Sequence, residues 1–257
     1  MSGTYIYGIA AAGHPSLPDG MEGIGDPACK VRLVEAGPLV ALVSDAPDGL
    51  RPKRRDLLAH QNVLAEAGAG GPVLPLRFGS LAPDDEAVAT VLAERADHYR
   101  ERLGALDGKV EYNVKAQHDE EAVLHRVMSE SPEVRTLAEA NRRAGGGSHE
   151  EKLRLGELVV AAVQAREAQD AVAVQQLLEP SAEAVSTGPA RSGWLANVSF
   201  LVDRASAEHF LAAVETVRRD HPHLELRVNG PLPPYSFVEP GPSAPVGAES
   251  GTESGTE

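Results

Sequence analysis

The 257-residue chain reads as an α+β protein. Three observations lead there. The second half orders its periodic segments as strand, helices, strand, strand, helix, strand. That is the split βαβ order of a ferredoxin-like sandwich, here with a helical insertion after the first strand. The first half sets strand-like runs ahead of helical ones. Finally, a proline-framed segment, Asn229-Gly-Pro-Leu-Pro-Pro-Tyr-Ser-Phe237, follows the last strand. Pro231, Pro233 and Pro234 have fixed φ and no backbone donor, so this segment continues neither a helix nor a central strand. Its apolar residues Leu232, Tyr235, Phe237 and Val238 sit in a stiff frame that docks at low entropic cost. The segment reads either as a turn packed on its own core or as a surface that a partner reads.

The elements follow in order. Thr4–Ile9 is a strand, placed in a sheet because unpaired termini fray. The Gly- and Pro-rich stretch from His14 to Pro27 reads as a loop. Val31–Glu35 and Leu39–Val43 form a hairpin, since Ala36-Gly-Pro38 is too short for another connection. Residues 53–67 are helical, with Leu57, Leu58, Leu64 and Ala65 marking the apolar face. His60 and Gln61 fall on that inward stripe. Polar groups facing a core need partners. The pair is either a structural tie to a neighbouring strand or a ligand or acid/base site. Val73–Phe78 is apolar except for Arg77, and Pro75 argues for a sheet edge. Arg77 calls for a carboxylate partner if buried, or for an anionic ligand. His60, Gln61 and Arg77 are the one polar cluster that invites an active site. No metal-ligand spacing, phosphate loop, nucleophile elbow or paired carboxylate accompanies them.

Pro83-Asp-Asp-Glu86 opens a helix carrying Val88, Val91, Leu92, Arg95, Ala96, Tyr99 and Leu103. Lys109–Lys115 alternates as a half-buried strand. Asp119 caps a helix with Val123, Leu124, Val127 and Met128 inward, broken near Pro132 and running to Arg143. Ser148 and Glu151 form a capping box that starts a long helix ending before Pro180. Ala182–Thr187 and Trp194–Val202 are strands joined by a Gly/Pro turn, and Trp194 at the strand start reads as a core anchor rather than a ligand-stacking ring. Ser206 caps the helix of Phe210, Leu211, Val214 and Val217. Leu224–Val228 is the last strand.

Composition bounds the function. The net charge of −14 disfavours nucleic acid and anionic membranes as main partners. Aromatic residues are 4%, so the core is mainly Val, Leu and Ala. Cys29 is the one cysteine, which excludes an internal disulfide and a cysteine metal site and fits a reducing cytoplasm. The start lacks the pattern of a signal peptide, and no apolar window is long enough to span a membrane.

Four pieces in order carry a family resemblance. They are Tyr5-Ile-Tyr-Gly8; His60-Gln61 followed by Val73-Leu-Pro-Leu-Arg-Phe-Gly79; Val110-Glu-Tyr-Asn-Val-Lys115; and the proline-framed segment. Together they resemble the gas vesicle accessory proteins of the GvpF/GvpL family. The resemblance implies two domains, the second ferredoxin-like. On this sequence they are an N-terminal mixed α/β domain over 1–107 and a ferredoxin-like domain over 108–230. A docked segment over 231–240 and a disordered acidic tail over 241–257 complete the chain. It also implies a role in gas vesicle assembly, with the hydrophobic shell protein and other accessory proteins as partners. It implies no enzyme activity and no cofactor. His60, Gln61, Arg77, Pro233, Pro234, Tyr235 and Phe237 are then structural or interaction residues. The competing readings are a small-ligand-binding regulatory module and an enzyme using His60 and Arg77.

Overall fold

The computed structural model describes residues 3–13, 17–188 and 193–239. The tail expected over 241–257 and most of the Gly/Pro turn before Trp194 lie outside them. Two antiparallel sheets carry the fold. The first contains β1 (Thr4–Ala11), β4 (Arg32–Ala36), β5 (Leu39–Asp45), β6 (Val73–Pro75) and β7 (Leu81–Ala82). Its order is β4-β5-β1-β6, with β7 also on β1. β5 is buried on both faces because nearly every residue in it is apolar. β4 and β5 pair through the short turn that the sequence predicts, from Ala36↔Leu39 outward. β6 lies at the edge, where Pro75 does not need to donate to a ladder.

A bulge near Tyr7 shifts the β1 register between Ile6 and Gly8. Tyr5, Tyr7 and Ala10 therefore share one face, while Ile9 turns to the other. The Tyr5 face is covered by α1 (Arg54–Gly70) and by a small hairpin, β2 (Glu22–Gly25) with β3 (Ala28–Lys30). This hairpin replaces part of the loop expected before Pro27. It is fastened by long-range bonds: Ile24 N–H donates to the Tyr7 hydroxyl and Gly25 N–H to Asp56. A Cβ at Gly23 would lie 1.9 Å from the Tyr7 hydroxyl oxygen, so only glycine fits there.

The opposite face is covered by α2 (Asp85–Glu94) and α3 (Ala96–Leu106). The sequence reads these as one helix. Arg95 at φ −112°, ψ 22° ends the first and starts the second.

The second sheet contains β8 (Lys109–His118), β9 (Ala184–Thr187), β10 (Ala196–Asp203) and β11 (Leu224–Leu232) in the order β11-β8-β10-β9. With crossovers through α6 (His149–Leu178) and α7 (Ala207–Asp220), this is the ferredoxin-like arrangement that the sequence predicts. Phe200, Phe210, Val114, Val174 and Leu178 centre its core. The insertion holds α4 (Glu120–Glu130), α5 (Pro132–Arg143) and the long α6. Asp119 and Ser131 cap the first two, and the Ser148–Glu151 capping box starts the third. Its own core is thin: only Val123, Val127 and Val134 are fully buried there. Leu124 is largely exposed, against expectation. Among the described residues Trp194 belongs to no core cluster, and it is half-buried. Arg227 and Lys115 lie over its ring at 5.1 and 5.7 Å, so it is a cation–π platform and not a core anchor.

Candidate interaction site around the docked C-terminal segment

The proline-framed segment is docked on both sheets. β11 pairs with β8 through Asn229↔Asn113, slips, and resumes at Leu232↔Glu111. The slip sits at Gly230, where a Cβ would lie 2.5 Å from the Tyr112 ring. Pro234 is buried and Pro233 partly so. Phe237 enters the core under the first sheet, beside Leu201 of the second. Ser236 anchors the turn: its N–H and hydroxyl both donate to the buried Glu111 carboxylate, each at 2.8 Å. Arg102 donates to the carbonyls of Phe237 and Val238. The segment therefore closes the core.

Tyr235 joins the segment to His60. The two rings stack at 6.5 Å, and the Tyr7 ring also stacks on His60, at 5.5 Å. His60 is 2% exposed. Its Nε2 lies 3.1 Å from the Leu76 carbonyl, which only accepts, so Nε2 carries the proton. Nδ1 then accepts from the Tyr5 hydroxyl at 2.8 Å, and that oxygen accepts from Gly79 N–H. Every polar atom of the chain Gly79–Tyr5–His60–Leu76 is satisfied. Burial pushes His60 below its ordinary value, against the pull of the Leu76 carbonyl, and so favours the neutral ring. It also pushes Tyr5 above the usual phenol range and Tyr235 up to about 12, with Glu111 adding to the latter.

The other predicted polar residues separate. The buried stripe of α1 is Asp56, His60, Val63, Leu64 and Ala67. Gln61 is exposed, as are Leu57, Leu58 and Ala65, because the helix is turned so that two polar residues face inward. Arg77 is also exposed. Buried His60 and exposed Arg77 do not meet in a cleft, so the acid/base pair that the sequence allowed is not assembled.

A groove of about 760 Å³ runs beside α1. Gln61, Leu64, Ala65 and Gly68 line one wall, Lys109, Val110 and Tyr112 another, and Pro231 to Tyr235 complete it. Of the predicted residues it collects Gln61, Pro233, Pro234 and Tyr235, but not Arg77 or Phe237.

Sequence reasoning misses a second polar cluster, at the far end of the second sheet. Asp170, 1% exposed on α6, accepts at Oδ2 from Arg166 Nε, His118 Nε2 and His223 Nε2, each at 2.9 Å. Burial alone would raise the Asp170 carboxyl, but the Arg166 and His118 bonds and neighbouring positive charge hold it below the usual range. The i,i+4 pair Arg166–Asp170 is visible in the sequence; the histidines are not, since strand pairing brings them there. Ligand atoms of His118, Asp170 and His223 lie within 4.8 Å of one another, as a metal site requires. The surroundings do not fit one. A metal-bound histidine needs an acceptor for its other N–H. His223 Nδ1 instead faces the Arg126 guanidinium at 3.1 Å, and His118 Nδ1 is buried with no partner among the described residues. Arg166 also holds the carboxylate oxygen that a metal would take.

Residues 3–239 match the family described as gas vesicle synthesis protein GvpL/GvpF. The chain belongs to this family. It is 65% identical over 236 residues to gas vesicle protein F of Streptomyces sp. (strain CB03234), covering 92% of this chain and 99% of that one. Gas vesicle protein L of the same strain is 28% identical, covering 91% of this chain and 92% of its own. The fold resembles the crystal structure of GvpF from Anabaena sp. PCC7120, with a TM-score of 0.71 and 27% identity over 93% of this chain and 99% of that one.

Proposed function

We propose that the chain is a non-enzymatic accessory or minor structural protein of gas vesicle assembly. It binds the hydrophobic shell protein and other accessory proteins, and works at the vesicle within the cytoplasm. The observation that carries this reading is the 65% identity to a gas vesicle protein F across nearly all of both chains. Among the described residues no helix is long and apolar enough to cross a membrane. A hydrophobic subunit awaiting assembly needs a strongly charged partner to cover its apolar face, and the net charge of −14 suits that task. We assign the contact to the groove between α1 and Pro233–Tyr235, whose lining is largely apolar or small. The proposal keeps the division into units 1–107 and 108–230, closed by 231–240. Each sheet has a core cluster of its own, and Phe237 is a rivet between them.

The test is capture of the shell protein by the full chain and by Ala65→Trp. Ala65 is exposed on α1, so the new ring fills the groove and spares the core. Capture by the full chain and reduced capture by the variant supports the assignment. Equal capture moves the contact elsewhere, and no capture by either removes shell binding. One observation favours a second reading, a small-ligand-binding regulatory module. The groove volume falls within the range of small-molecule sites, roughly 300–1,000 Å³. That reading predicts a ligand-dependent rise in melting temperature, lost in Ala65→Trp.

A further inference from the structure

The cluster around Asp170 joins the helical insertion to the end of the second sheet. His118 ends β8, His223 precedes β11, Asp170 and Arg166 lie on α6, and Arg126 and Glu130 lie on α4. Arg166 donates to the Glu130 carboxylate at 3.0 Å, and Arg126 Nε pairs with it by charge at 2.9 Å without hydrogen-bond geometry. The Asp119 N–H, just before α4, donates to the His223 carbonyl. α4 and α5 pack on each other and on α6 over the thin core of Val123, Val127 and Val134. The polar cluster therefore supplies much of what fixes α4 to the sheet.

The hydrogen bonds dictate one protonation state for His223. A guanidinium only donates, so Arg126 Nη1, 3.1 Å from Nδ1, requires that nitrogen to be bare. Asp170 only accepts, so Nε2 carries the proton. The neutral ring is the one form that satisfies both neighbours. A second proton has to go on Nδ1, directly against Arg126, with Arg166 3.4 Å from Nε2. His118 and His221 pack beside it at ring distances of 5.8 Å, each with its Nδ1 buried and without a partner among the described residues, and neither ring is hydrogen-bonded to His223 there. The acids within reach are Asp170 and Glu130, both engaged by arginines. His223 lines a cavity of about 680 Å³ shared with Asp119, Glu121, His125, Arg126 and Glu130, which gives protons an approach.

We propose that His223 is an acid-released clasp for the helical insertion. Taking up a proton at Nδ1 expels Arg126, and α4 and α5 part from the sheet end. This uncovers Val123 and Val127 and the facing side of α6, around Leu155, Leu158 and Val159. Burial pushes His223 below its ordinary value near 6.5; Asp170 pulls the other way, while Arg126 and Arg166 add to the depression. A depressed histidine contributes stability that is complete above the unfolded value and is lost as pH falls towards the folded one. Release therefore begins in mildly acidic solution. The ionised Asp170 becomes protonated only at lower pH.

Hydrogen exchange of the full chain at about pH 7.5 and about pH 5.5, corrected for intrinsic rates, tests the clasp. One-proton linkage gives about tenfold lost protection per pH unit, confined to α4 and α5. Protection of β8 and β10 should stay unchanged. In His223→Gln, which stays neutral, and in Arg126→Gln, which removes the opposing charge, the acid loss should shrink or vanish. If the insertion is equally protected at both pH values in the wild type, the proposal fails. It also fails if both variants fold and lose protection as the wild type does. If His223→Gln does not fold, Arg126→Gln alone decides, since Arg126 is partly exposed on α4.

Discussion

Two buried histidines, His60 and His223, are each 2% exposed, yet they stand in opposite kinds of surroundings. His60 sits among neutral groups: a tyrosine hydroxyl, a backbone carbonyl and aromatic rings. His223 sits between a carboxylate and a guanidinium. The difference that matters is reversibility. A hydroxyl both donates and accepts, so Tyr5 can turn its hydrogen away if Nδ1 of His60 gains a proton. A guanidinium cannot turn round, so Arg126 answers a proton on His223 only by leaving. The same residue type thus makes a fixed tie in one place and a conditional one in the other.

The largest expected effect breaks the charged site. Asp170→Ala leaves Arg166, His118 and His223 without the oxygen that they share, and should cost about 3–5 kcal/mol. Urea unfolding measures it. Tyr5→Phe keeps the ring but orphans His60 Nδ1 and Gly79 N–H, and should cost about 1–3 kcal/mol. If Tyr5→Phe cost as much as Asp170→Ala, the contrast between the two sites would collapse. The pH dependence comes next. Burial lowers both histidines, so each contributes stability that is complete above about pH 6.5 and declines in acid. Asp170 is also held low, so its contribution is lost only further down, below about pH 4. Urea unfolding across pH should show two separate declines. A single decline near the carboxylate range would mean that neither histidine is buried neutral.

How much of this was legible depends on the kind of signal. The ferredoxin-like order could be read because each strand of the second half is a short apolar or alternating run between turn signals. The caps Asp119 and Ser148 were legible because capping is local chemistry. The leucine spacing of α1 points to a face that is rotated from the buried one. Leu57 and Leu58 are exposed, while Asp56 and His60 are buried to bond Gly25, Tyr5 and Leu76. Polar residues that earn burial by long-range bonds leave no apolar mark. The β2–β3 hairpin was hidden for the same reason, since Tyr7 and Asp56 fasten it from afar. His118 and His223 are 105 positions apart and meet because β8 and β11 pair as Leu224↔His118. No local spacing encodes that. The docking of the C-terminal segment was readable in kind, from its proline frame, but the stacking of Tyr235 on His60 was not.

The smallest expected effect concerns the residues that the sequence grouped with His60. Gln61→Ala and Arg77→Ala should each change stability by less than about 0.5 kcal/mol, as exposed positions do. The two differ in what else they touch. Gln61 lines the groove beside Pro233 and Tyr235, whereas Arg77 lies outside it. If the groove takes the shell protein, Gln61→Ala should weaken capture modestly and Arg77→Ala should leave it unchanged, both in variants of wild-type melting temperature. Equal losses in the two would separate binding from the groove. A loss of stability above about 1 kcal/mol in Arg77→Ala would mean that Arg77 does hold a partner within the fold, restoring the polar cluster that the sequence suggested.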